Sequence, residues 1–162
     1  MGVILGGVIG LSSSCCAQQS GRKMPEGRLQ KLEYVRQGSM AGAEYKGTVT
    51  TDSTGVAVLE AMREPYGPLY RVTLSDGQLD SLRTIIEEEE MYKYKSHYEP
   101  PVRVYDGYSW SFYAGFEGNE GISSGGSNAR PKGGGLERIC EMMRLLASQP
   151  EAEELPHDGP VW

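Results

Sequence analysis

Histidine, cysteine and long apolar runs are all scarce in this 162-residue chain, and each scarcity closes off a class of function. Its two histidines, His97 and His157, lie far apart, so no histidine-based zinc set is expected. The three cysteines are Cys15, Cys16 and Cys140. Adjacent cysteines bridge poorly, because a disulfide fixes both Cα separation and direction. With Cys15 and Cys16 assigned to an N-terminal signal, Cys140 is left without a partner inside the body. No segment reaches the roughly 20 apolar residues of a membrane-spanning helix. Lys and Arg never gather into a basic cluster and the net charge is −6, which argues against a nucleic-acid partner. Phenylalanine is low at two, whereas tyrosine reaches ten, a choice that suits positions apolar on one side and wet on the other.

The N-terminus carries an address. Gly2 to Leu11 form a short apolar run, followed by Ser12, Ser13, Ser14, Cys15, Cys16, Ala17 and Gln18. That length fits the apolar core of a secretory signal with small residues at the cleavage zone. The approach to Cys15 resembles the lipobox of bacterial lipoproteins, whose cysteine becomes the lipidated first residue; Cys16 is the alternative. Ordinary signal cleavage after Ala17 is the competing reading. Residues 1–17 are therefore read as a signal or lipobox-like segment and 18–27 as a polar tether. The expected location is outside the cytoplasm, periplasmic, outer-membrane-associated or at the cell surface, with the membrane reached only through the lipid.

Residues 28–149 read as a single α+β domain. Leu32, Tyr34 and Val35 mark a first strand, and Tyr45, Gly47 and Val49 alternate with Lys46, Thr48 and Thr50, the period-two pattern of a half-buried strand. Asp52 to Gly55 form a turn, and strands follow from Val56 to Met62 and from Leu69 to Leu74. Ser75 and Gln78 spell a capping box ahead of Leu79, Leu82, Ile85 and Ile86, and the spacing predicts a helix continuing through Glu87 to Glu90. Trp110, Phe112, Ala114 and Phe116 share one strand face, opposite Ser111, Tyr113 and Gly115. A partner strand through Ile122 and Ser123 should open into a loop from Ser124 to Gly135. Leu136, Ile139, Cys140, Met143, Leu146 and Ala147 then form the apolar stripe of a second helix. The order predicts an antiparallel sheet with two helices on one face. Residues 150–162 read as a disordered acidic tail.

Candidate chemistry is thin. Gly121-Ile122-Ser123-Ser124-Gly125 has the letters of a nucleophile elbow, which would make Ser123 the nucleophile of a small serine hydrolase. That motif requires a strand running straight into a helix, whereas Pro131 and several glycines intervene here. The loop around Ser127, Asn128 and Arg130 can offer backbone amides ahead of a helix, but it lacks the G-K-[ST] ending of a phosphate-binding loop. It is the first choice for a binding surface, together with Tyr98 from the tyrosine-rich stretch between Tyr92 and Tyr108. No catalytic set, metal site or cofactor is indicated.

Tyr92-Lys93-Tyr94-Lys95 with Tyr98, then Asp106-Gly107-Tyr108-Ser109-Trp110-Ser111, then Ile122 to Ala129 before Pro131, resemble a group of uncharacterised exported bacterial domains. The resemblance spans about Leu69 to Ala147. It implies an α+β domain in an envelope setting and no assigned activity. The expected function is a lipid-anchored, non-enzymatic module that binds a protein or glycan partner. The alternatives are the Ser123 hydrolase and a structural lipoprotein without a specific ligand.

Overall fold

A computed structural model describes residues 22–38, 43–104 and 107–156. Cys15, Cys16, Tyr105, Asp106 and His157 lie outside the described residues. The chain builds four strands, β1 (Leu29–Gln37), β2 (Ala43–Thr51), β3 (Ala57–Met62) and β4 (Leu69–Leu74), then helix α1 (Asp76–Glu88). Strands β5 (His97–Tyr98), β6 (Ser109–Phe116) and β7 (Gly121–Ser127) follow, then helix α2 (Gly135–Ala147) and strand β8 (Glu153–Glu154). The strands make one eight-stranded sheet in the order β5-β7-β6-β1-β2-β3-β4-β8. Every neighbouring pair is antiparallel except β5 with β7, which is parallel. The α+β class and the two-helix layer thus match the expectation, with one parallel edge added.

Register sets the inner face. Leu32 faces Val49 across β1 and β2, Val49 faces Leu59, and Leu59 faces Val72, so one apolar row crosses four strands. Phe112 and Ala114 extend this layer through β6. Leu32, Val49, Leu59 and Ala114 are fully buried, as are Leu82 and Ile86 of α1 and Ile139 and Met143 of α2. Each of these side chains larger than alanine contributes roughly 1.5–3 kcal/mol on leaving water.

Local chemistry agrees with the tertiary plan. In the β2–β3 turn, Asp52 Oδ1 accepts from the Thr54 amide at 2.8 Å, the Thr54 hydroxyl at 2.6 Å and the Val56 amide at 3.0 Å. Those bonds favour the charged form and hold its carboxyl below the usual value. The capping box forms in full: Ser75 Oγ accepts from the Gln78 amide at 3.3 Å, and Gln78 Oε1 accepts from the Ser75 amide at 2.8 Å.

The structure departs from the sequence reading at four places. Helix α1 stops at Glu88 instead of running through Glu90, which takes left-handed φ at 49°. Arg138 on α2 binds Glu89 at 2.8 Å and Glu88 at 2.9 Å, fixing the helix end against its neighbour. The tether is not wholly free, because Met24 packs on the core and Pro25 is buried. Arg83 of α1 donates to the carbonyls of Gly27 at 3.1 Å and Pro25 at 3.3 Å. The described part of the acidic tail, residues 150–156, joins the sheet, where Glu153 and Glu154 pair with Arg71 and Tyr70, and the Leu155 amide donates to the Leu69 carbonyl at 2.8 Å. Backbone bonding and the Tyr70–Glu154 side-chain bond at 2.8 Å hold a strand that has no apolar pattern of its own. Finally, Ser124 to Ser127 lie in β7 and not in a loop.

Candidate functional site

The residues singled out from sequence converge at one end of β6 and β7. Alternation along β7 turns Ile122, Ser124 and Gly126 inward and leaves Ser123 and Ser127 exposed. Ser124 is only 4% exposed, and its hydroxyl donates to the Lys95 carbonyl at 2.6 Å. Gly126 is obligatory, since a Cβ there would come within 2.7 Å of the Tyr98 carbonyl and 2.8 Å of the Ala129 carbonyl. Asn128 then adopts φ of 54°, a conformation this side chain tolerates better than most. Its amide donates to the Tyr108 carbonyl at 2.9 Å, and its Oδ1 accepts from the Tyr108 amide at 3.0 Å. Beside it, Trp110 Nε1 donates to the Ala129 carbonyl at 2.7 Å.

Tyr98 closes the same cluster. Its ring lies 5.8 Å from that of Trp110 and meets Tyr94 edge-on at 6.4 Å, while its hydroxyl accepts from the Lys95 amide at 3.1 Å. Burial pushes the Tyr94 hydroxyl well above its ordinary pKa. Arg130 forms an ion pair with Glu137 in the first turn of α2. Tyr98, Asn128 and Arg130 therefore direct their polar atoms at the chain itself: Tyr98 packs the β5 segment against β6, Asn128 ties the end of β7 to the start of β6, and Arg130 pairs with α2. Ser127 and Arg130 are the exposed members of the set, and Ser127 is the one without a side-chain partner among the described residues.

The opposite face of the sheet is more accessible. Both helices pack on the inner side, and no helix covers the outer side among the described residues. The outer face carries cross-strand rows: Ser123, Tyr113, Glu33, Thr48, Glu60 and Arg71 form one, and Gly121, Gly115 and Lys31 form the next. Tyr113 is 39% exposed. Its ring lies over the paired Gly115 and Gly121, where built Cβ atoms would approach the phenol to 2.9 Å and 3.4 Å, and Lys31 Nζ sits 5.6 Å from the ring centroid. Two missing side chains thus make the floor on which one aromatic ring rests. The alternation of β6 signals Tyr113 as an outward residue, but only register shows that its neighbours across β7 and along β6 are glycines.

Ser123 stands in the interior of β7, opposite Tyr113. No strand-to-helix turn presents it, which removes the geometry of a nucleophile elbow. His97 pairs with Gly125, two residues along the same strand, and its Nε2 lies 3.0 Å from Glu99 Oε1.

Fold and surface together define a two-layer α+β protein with one helix-covered and one open sheet face. Comparison with protein-family models, curated proteins and solved structures finds no match for this chain.

Proposed function

We propose that this protein is an exported, lipid-anchored, non-enzymatic module of the cell envelope that holds a glycan on its open sheet face. The supporting observation is the Tyr113 ring resting on Gly115 and Gly121, with the residue 39% exposed and the Lys31 ammonium beside it. Sugar C–H groups pack against the electron-rich face of such a ring, while hydroxyl and carboxylate neighbours bond the sugar hydroxyls. Ser123 and Glu33 flank Tyr113 in its row, and Ser111 lies two residues away on the same face. The charges named on this face alternate in sign (Lys31 and Arg71 against Glu33 and Glu60), which suits a neutral polymer better than a charged one.

Titration of soluble cell-wall glycan fragments into the wild-type chain and into Tyr113→Ala tests the reading. Saturable binding should weaken at least tenfold in the variant, about 1.4 kcal/mol, with the unfolding midpoint unchanged. Absence of binding to the wild type, or equal binding by Tyr113→Ala, overturns it.

The hydrolase alternative draws on His97 and Glu99 lying beside the strand that carries Ser123. Hydrolysis of a nitrophenyl ester by the wild type, abolished in Ser123→Ala, would establish that rival over binding alone.

The envelope placement rests on the N-terminal run and its cysteines. Among the described residues no helix is long and apolar enough to cross a membrane. Mass spectrometry of the mature N-terminus should show a diacyl or triacyl mass on Cys15 or Cys16 in the membrane fraction. An unmodified Gln18 terminus in the soluble fraction would remove the anchor.

A further inference from the structure

A cleft of about 740 Å³ opens between residues 22–26 and the β6–β7 turn, within the size range of small-ligand sites. Met24, Pro25, Tyr92 and Ile122 give it apolar surface. Gly121 belongs both to this cleft and to the Tyr113 platform: it lines the cleft, and a Cβ built on it would come within 3.5 Å of the Tyr113 ring. The tether side is fixed to the body, because Arg83 of α1 donates to the Pro25 carbonyl at 3.3 Å and the Gly27 carbonyl at 3.1 Å. Arg22, Lys23 and Glu26 line the cleft from the tether, and Glu117 and Glu120 line it from the turn. Glu117 is already committed, its two carboxylate oxygens accepting from the Arg28 amide and the Gln30 side-chain amide, each at 3.2 Å. The other four charged side chains are exposed, and none forms an ion pair among the described residues. Two cations and two carboxylates thus border one cleft without neutralising one another.

We propose that this cleft holds a short zwitterionic peptide carried by the glycan, its carboxylate at Arg22 and Lys23 and its ammonium at Glu26 and Glu120. The inference rests on the glycan reading and names the substituent that the bound sugar bears. The balance of charge selects the ligand. An anion alone would leave Glu26 and Glu120 unpaired, and a cation alone would do the same to Arg22 and Lys23. A group carrying both signs serves all four. The surface from Met24, Pro25 and Tyr92 suits small aliphatic side chains between the two charged ends. A bare sugar chain would cover Tyr113 and leave the charges of the cleft as they are. Exposed ion pairs are individually weak and screened by salt, so several together are expected to raise affinity about five- to tenfold.

Calorimetric titration of the full chain tests this, comparing cell-wall glycan fragments that keep their peptide with the same fragments after enzymatic removal of the peptide. At low ionic strength the peptide-bearing fragments should bind about five- to tenfold more tightly. That gain should shrink about threefold or more in Glu120→Gln and in the double variant Arg22→Gln, Lys23→Gln. Binding of the bare fragments should stay unchanged in both. The substituted side chains are exposed and unpaired, so the unfolding midpoint should not move. Acetylation of the free amine of the peptide should remove the part of the gain that depends on Glu120. Equal affinity for the two kinds of fragment overturns the inference, as does a gain that survives these substitutions. The glycan reading survives that failure if bare fragments still bind and weaken in Tyr113→Ala. Conversely, peptide-bearing fragments that bind wild type and Tyr113→Ala equally, yet weaken in Glu120→Gln, keep the peptide site and remove the glycan reading. Binding of neither fragment overturns both.

Discussion

Gly47→Val should destabilise the fold by about 3 kcal/mol, the upper part of the range for overpacking a filled core. Gly47 faces inward from β2, between Tyr34 on β1 and Ala61 on β3. A Cβ there would overlap Met143 Sδ and come within 2.8 Å of Tyr45 Oη and 3.3 Å of its Cε1. Met143 is fully buried and Tyr45 nearly so, which leaves neither side chain an easy retreat. Valine adds two further methyls to that overlap. Thermal unfolding should drop by on the order of 10 °C for a chain of this size. Gly77→Ala is the control: it lies in the first turn of α1, where a Cβ meets open space, and should leave the midpoint unchanged or slightly raised. A Gly47→Val midpoint within 2 °C of wild type, about 0.5 kcal/mol, would contradict the packing of α2 on β2 described above.

Trp110→Ala should cost about 4 kcal/mol, in the range for emptying a large aromatic site. The residue is 5% exposed, its ring packs at a 41° tilt against Tyr98, and its N–H donates to the Ala129 carbonyl. Trp110→Phe separates the two contributions, because it keeps an aromatic ring for Tyr98 and loses the N–H; about 1–2 kcal/mol is expected. Urea denaturation followed by far-ultraviolet circular dichroism gives both values. The comparison decides what the hydrogen-bonded aromatic cluster at this end of the sheet is for in physical terms. Large losses of stability assign Tyr98, Trp110 and Asn128 to a structural clasp. Unchanged stability with impaired ligand binding would assign them to a contact surface and defeat the clasp interpretation.

Tyr98 and Asn128 illustrate why candidate sites are harder to read than candidate elements. Tyrosine and asparagine in a glycine-rich stretch suit both a binding surface and a hydrogen-bonded loop closure. The choice depends on whether their polar atoms meet water or backbone. Asn128 Oδ1 meets the Tyr108 amide, 20 residues away, a contact that only the folded chain creates, and Tyr98 Oη turns back to the Lys95 amide while its ring packs on Trp110. The cleft bordered by Arg22, Lys23 and Glu120 was invisible for a related reason. Each of these residues fits a local pattern, solvated charge in a tether or a turn, and nothing local shows that they line one opening. The strand at Glu153–Glu154 had no pattern at all, since two glutamates on an edge need only a backbone to pair with.

Interactions within a few residues set β1 to β4, β6 and both helices, with their buried sides, and left β5, the end of β7 and β8 unmarked. The capping box at Ser75 and Gln78, the apolar stripes of both helices and the alternation from Trp110 to Phe116 each arise from interactions within a few residues, and each reappears in the fold. Tertiary structure alone decided that β6 returns beside β1, that Tyr113 rests on two glycines, and that Arg22 and Glu120 border one cleft. The physical reason is range. Periodicity and capping are enforced by neighbours along the chain, whereas strand order, cross-strand partners and shared clefts depend on which distant segments the whole core brings together.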